Sequence, residues 1–209
     1  TLTVARLIVG YEQEHLSGSQ ALGLHRVQLG IIAALFHDIG YLRHVDFDAQ
    51  TQNGAEFTRT HVSRGAKILS HYLPSIGFAN EAERTRLWLH YTGYEQDVHM
   101  DNPLDHALGC LLGTGDLISQ MADRAYLERC RDGLYQEFKI GKVPAPTRDD
   151  GLPFESPHEL LRQTPNFMRN TVAERLDKRF GQVYRYAERF FGGVNLYMDG
   201  VEKNCVFLE

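Results

Sequence analysis

The sequence predicts an all-α fold. Nearly every long segment repeats its apolar residues at helical spacing. Helix-starting and helix-breaking residues, among them Gly18-Ser19, Thr58 or Thr60, Pro74, Asn80 and Pro103, stand at the ends of several of those segments. With 209 residues and a hydrophobic fraction of 43%, the chain is long enough to bury a full core, as one large domain or as one domain with an extension.

The elements follow in order. Residues 2–16 put Leu2, Val4, Ala5, Leu7, Ile8 and Tyr11 on one broad face, and Gly18-Ser19 breaks that helix. Residues 20–37 form a second, very apolar helix that ends abruptly in His37-Asp38. Residues 41–57 are polar, with Asp46, Asp48, Asn53 and Gly54, and read as a loop. Thr58 or Thr60 caps a third helix, 61–72, which Pro74 terminates. Asn80 caps a fourth, through "EAERTRLWLH" to the neighbourhood of His90. Pro103 opens a long fifth helix over roughly 104–129, interrupted by Gly113 and Gly115, and 130–140 is helical again.

The stretch 141–157 is rich in Pro, Gly and charge and marks the expected boundary between a core, 1–140, and a helical extension, 158–209. Residues 158–163 and 166–191 return to helical spacing. The end differs. "VNLYMDGVEKNCVFLE" has two apolar runs around Asp199-Gly200, a turn signal, and is expected to form a short terminal β-hairpin.

The totals narrow the function classes. Lys and Arg number 22 against 27 Asp and Glu, a formal charge of −5 with no basic block, so nucleic acid is not an expected partner. No apolar run approaches the roughly 18 residues of a spanning helix, so a membrane is not expected either. Cys110, Cys130 and Cys205 are an odd, sparse set without CxxC, which fits reduced thiols in a cytoplasm. A homodimer is left open. The chain begins at Thr1, already in a helical pattern.

The chemistry lies in histidines and acids beside apolar sequence. A buried helix that ends in an imidazole and a carboxylate needs partners for both. A divalent metal explains the pair, and so does a His-Asp hydrogen bond or a charge on the helix terminus. His61 begins the third helix, His90 ends the fourth, and Asp116 lies on the fifth among apolar residues. His15, His71 and His158 sit in polar surroundings and read as surface groups.

His37-Asp38-Ile39-Gly40 with His61, His90 and Asp116, in "THVSRGAKIL", "LHYTGY" and "GDLISQMADRAY", resembles the HD superfamily of metal-dependent phosphohydrolases over about residues 1–130. The likeness is nearest to its HD-GYP-like, two-metal subgroup. It implies an HD-domain helical bundle and two divalent ions, with iron, manganese, zinc, nickel or cobalt all suited to the ligands. It implies that His37 and Asp116 bind one ion, His61 and His90 the other, and that Asp38 bridges both. Hydrolysis of a nucleotide-like phosphate ester, as a monoesterase or diesterase, would then proceed through a metal-bridging hydroxide. Three departures stand out: Tyr41 where the subgroup has Lys, the single His90 followed by Tyr91 where it has a double His followed by Glu, and Glu95 where it has Pro after the Gly93-Tyr94 pair. Cyclic-di-GMP specificity is therefore not implied. A catalytically degenerate signalling or binding module is the alternative.

The family pattern has one further His before the pair. His25 stands 12 residues before His37 on one expected helix, at ~1.5 Å per residue too far along the axis to share a coordination shell. If helices 1 and 2 are antiparallel, the position opposite His37 is Thr1 or the residue preceding it. Arg64 and Lys67 are candidates for substrate phosphate, and Tyr91 and Tyr94 for a base, with Trp88, Phe57 and Phe47 as further aromatics. His44, Asp46 and Asp48 are candidates for protonating a leaving group. Asp123 is a weaker ligand candidate, with Arg124 and Tyr126 as local partners.

Overall fold

The computed structural model describes residues 1–16, 18–143 and 154–208; most of the 141–157 boundary therefore lies outside the described residues. Helix α1 spans Leu2–His15 and α2 spans Gly23–Phe36. They form an antiparallel pair. Thr1 Oγ1 donates to the Ala34 carbonyl in the last turn of α2 at 3.0 Å, and Tyr11 Oη donates to Gln20 at the other end. Glu12 accepts from the Leu22 amide, which fixes the connection.

α3 (His61–Ser75) starts at His61 as expected but runs through Pro74; it is closed off at Gly77, φ +86°, where the Phe78 amide donates back to the Leu73 carbonyl at 2.9 Å. Thr60 is its N-cap by position, yet the hydroxyl donates to Phe57 and does not cap. α4 (Ala82–Leu89) is preceded by a 3-10 turn, Ala79–Glu81, that contains Asn80.

α5 (Pro103–Met121) is the central element, capped by Asn102, whose carbonyl oxygen accepts from Leu104 and Asp105 amides. It is not interrupted at its glycines. A Cβ on Gly113 would lie 2.3 Å from the Tyr91 carbonyl, and one on Gly115 would lie 3.0 Å from the Val4 amide. These glycines let the Tyr91 loop and α1 approach α5; they do not break it. The helix stops at Met121 rather than running to 129, and α6 (Tyr126–Arg129) follows. A π-turn, Cys130–Leu134, leads into α7 (Tyr135–Ile140).

After residue 157 come α8 (Pro157–Asn170), a π-helix (Thr171–Arg179), α9 (Tyr186–Phe191) and α10 (Leu196–Phe207). The expected terminal hairpin is corrected by α10: among the described residues there is no strand. Asn195 caps α10 by accepting from the Met198 amide. Val201 and Cys205, four residues apart, are buried on one helical face. Gly200 sits in that helix against Ala122, a Cβ there falling 2.9 Å from the Ala122 carbonyl. α9 packs on α1 and α10 on α5, and Leu160, Met168, Leu176, Phe180 and Val201 share one continuous core with Leu7, Leu29, Leu69, Trp88 and Leu111. No helix among the described residues is long and apolar enough to cross a membrane.

Candidate metal centre

His37 is the C-cap of α2, and Asp38 leads into the 3-10 turn Ile39–Tyr41. That turn is pressed against the start of α3. A Cβ on Gly40 would lie 1.8 Å from the His61 carbonyl oxygen and 2.8 Å from the Gly65 amide nitrogen, so only glycine permits the contact. The close approach sets His61 opposite Asp38, and α5 contributes Asp116 from the other side.

His37 Nδ1 lies 2.9 Å from the Ala34 carbonyl, an acceptor only, so this nitrogen carries the proton. Nε2 of the same ring faces two carboxylates, Asp38 Oδ2 at 3.1 Å and Asp116 Oδ1 at 3.5 Å. His61 repeats the arrangement. Its Nδ1 donates to the Thr58 carbonyl at 2.7 Å, and its Nε2 lies 3.8 Å from Asp38 Oδ1. Asp38 therefore stands between two imidazoles, one at each oxygen. An Nε2 lone pair facing a carboxylate is repulsive, so the contact is favourable only with a proton or a cation between them.

The backbone tie alone is ordinary. His15 and His71 make the same Nδ1 contact with Tyr11 and Lys67 carbonyls, and neither has a carboxylate on Nε2 among the described residues. Convergence of acids on Nε2 is what separates His37 and His61 from them. Gln120 donates to Asp116 Oδ1 at 2.7 Å and restrains the second carboxylate.

Burial alone would depress the His37 pKa. Hydrogen bonds to Asp116 and Asp38, together with their charges, overturn this and raise it to about 10. For Asp38, burial works to raise the pKa; the hydrogen bond from His37 and the charges of His37 and His61 outweigh it and hold the carboxyl below its ordinary value.

His90 closes α4 and is buried, with no partner on Nδ1. Burial lowers its pKa, Glu95 opposing and Arg86 reinforcing the effect. Among the described residues no hydrogen bond or ion pair joins His90 to His37, Asp38, His61 or Asp116. Its loop is nonetheless tied to α3. Both Glu95 carboxylate oxygens accept first-turn amides of that helix, Val62 at 2.8 Å and Ser63 at 3.1 Å. From the other side, the buried Arg175 of the π-helix donates to the Tyr91 and Gly93 carbonyls at 2.8 and 2.6 Å and stacks 4.0 Å from the Tyr94 ring centroid.

The other candidates are placed as follows. Arg64 spends its guanidinium on the Gly40 and Leu42 carbonyls and the Asp48 carboxylate, over the Phe57 ring, and so clamps the loop after the His-Asp pair. Lys67 is exposed. Tyr91 is 1% exposed, with its hydroxyl on His106 Nδ1, and is core rather than a ligand contact. Trp88 is core also, and Tyr94 and Phe47 are exposed. Asp48 is held by Arg64 and the His44 amide, whereas the Asp46 amide donates to His44 Nδ1. Asp123 accepts from the Ala125 amide and pairs with Arg129, not Arg124, and Tyr126 meets it through the backbone. His25 pairs with Glu81, away from the pair that ends its helix.

Glu95 and Arg175 escaped sequence reasoning. Arg175 had a signal, since helical register sets it on the buried face with Met168, Thr171 and Leu176. Glu95 had none beyond its departure from the family pattern. Among the described residues no set of three or more His, Cys, Asp or Glu side chains is spaced as a ready coordination shell. What converges is a hydrogen-bonded cluster whose donor chemistry, imidazole Nε2 atoms with tied Nδ1 protons facing carboxylates, fits a cation. No family model, no curated protein and no solved structure matches this chain.

Proposed function

We propose that this chain is a metal-dependent phosphoric ester hydrolase whose substrate is a nucleotide-like phosphate ester. The reading is supported above all by Asp38, placed between the Nε2 atoms of His37 and His61 while Asp116 faces the first of them. His37, Asp38 and Asp116 would hold one divalent cation, and Asp38, His61 and His90 a second; the unpartnered, buried His90 Nδ1 suits a ligand atom. Such cations, when bound, supply Lewis-acid polarisation of a phosphoryl oxygen and acidify water at neutral pH.

The protein's own groups do the positioning. Ala34 and Thr58 carbonyls select the imidazole tautomers, Gln120 restrains Asp116, and Glu95 fastens the His90 loop to α3. Arg64 holds the loop 40–48 in place, while exposed Lys67 and Tyr94 are the groups left for phosphate and base. A degenerate binding module is the second reading. It is favoured by the engagement of Arg64 and the burial of Tyr91, which leave few strong contacts for a substrate.

Elemental analysis of the purified protein, followed by a phosphatase and phosphodiesterase screen with added Mn²⁺, separates the readings. Two metals with turnover support the hydrolase. One metal without turnover supports the module. Absence of metal after Mn²⁺ loading overturns both as metal proteins.

A further inference from the structure

We propose that Glu137 and Tyr41 are positioning residues for the His61 imidazole; their relevance to a metal rests on the hydrolase reading above, whereas the positioning itself does not. The Tyr41 ring lies face to face on the His61 ring, centroids 4.2 Å apart and planes 20° from parallel. The Tyr41 hydroxyl donates to Glu137 Oε1 at 2.8 Å. The Thr58 hydroxyl, whose proton goes to the Ala55 carbonyl at 2.7 Å, also lies 3.1 Å from that oxygen. The Thr58 carbonyl in turn takes the His61 Nδ1 proton at 2.7 Å.

Glu137 thus governs the His61 ring through the tyrosine stacked on it. Through Tyr41 it fixes the plane of the ring, while the Thr58 main-chain carbonyl takes the Nδ1 proton. A stacked phenol that is free at its far end restrains an imidazole weakly; one anchored by a carboxylate restrains it well. Glu137 belongs to α7, 96 positions from Tyr41, so this short helix is joined to the cluster. The packing agrees. α7 contacts the 3-10 turn Gly54–Phe57, and a Cβ on Gly141, just beyond α7, would fall 2.8 Å from Thr58 Cβ. Tyr41, one of the departures from the family pattern, thereby has a task beside His61.

The test uses the full chain and three variants, Glu137→Ala, Glu137→Gln and Tyr41→Phe. Long-range ¹H–¹⁵N correlation of the imidazoles in metal-free protein reads the upfield shift that the Tyr41 ring produces at His61. Wild type is expected to show a shifted His61 ring. Glu137→Ala is expected to reduce the shift, and Glu137→Gln, whose amide oxygen accepts the Tyr41 hydroxyl, to restore it. Tyr41→Phe keeps the stack without its anchor and falls between. Unchanged His61 signals in a folded Glu137→Ala or Tyr41→Phe protein overturn the proposal. Co²⁺ titration of the same proteins is the second readout. A loss of affinity in Glu137→Ala of about 10–100-fold, recovered in Glu137→Gln, extends the positioning to the metal. If wild type binds no Co²⁺ while the imidazole signals respond as expected, the hydrolase reading falls and the positioning pair stands.

Discussion

Replacing Gly40 by alanine tests how the cluster is assembled. The added Cβ would begin 1.8 Å from the His61 carbonyl oxygen and 2.7 Å from its carbon, both backbone atoms at the start of α3. Cβ atoms essentially never approach closer than 3.0 Å, so the turn and α3 must separate by about 1.2 Å or more. No side chain can yield instead, which puts the cost at the upper end of overpacking, about 3 kcal/mol. In urea, with a slope near 2 kcal/mol/M, that lowers the unfolding midpoint by about 1.5 M. Gly133→Ala is the control, because nothing lies within 4 Å of a Cβ there and helix propensity favours alanine by up to about 1 kcal/mol. The separation acts on the contact between His61 and Asp38, so metal affinity is expected to fall as well. A Gly40→Ala protein within about 0.5 kcal/mol of wild type would refute the close approach and the account of how His61 reaches Asp38.

Three further outcomes are expected. Asp38→Ala should abolish metal retention while circular dichroism stays nearly unchanged; full metal content in that variant would count against a bridging role. In metal-free protein, the His37 contribution to stability is fully present below pH ~6.5 and fades as pH rises toward 10, because the folded pKa is raised to about 10. Urea midpoints measured from pH 6 to 10 should therefore fall more steeply in wild type than in His37→Gln, and parallel curves would contradict the shift. Arg175→Ala removes two charge-assisted hydrogen bonds to the Tyr91 and Gly93 carbonyls and should destabilise by about 3 kcal/mol, measured by the same titration; Arg175→Lys, which lacks the planar fork, should recover only part of it.

The residues that meet at Asp38 were legible because each sits at a helix end or on an apolar helix, where a polar ligand type is out of place. His37, Asp38, His61 and Asp116 do converge, and the start of α1 does lie on the end of α2, as the antiparallel expectation required. What escaped was long-range or ambiguous. Glu137 meets Tyr41 across 96 positions, and no local pattern records such a pairing. Gly113 and Gly115 looked like breaks because composition cannot distinguish a glycine that ends a helix from one that admits a neighbour. Asp199-Gly200 looked like a hairpin turn for the same reason. The competing signal was Asn195 as a cap with Val201 and Cys205 one turn apart, and tertiary packing against α5 decided in its favour. Asn204 adds to that packing by donating to the Met121 and Asp123 carbonyls at the end of α5.

The hydrogen bond from Thr1 to Ala34 has a practical side. Ala34 also receives the His37 Nδ1 proton, so a segment joined ahead of Thr1 leaves the fold beside the carbonyl that orients His37. A polyhistidine purification handle placed there would offer its own imidazoles to the cations under study and corrupt every stoichiometry drawn from them. Such a handle should be cleaved before any ion is counted.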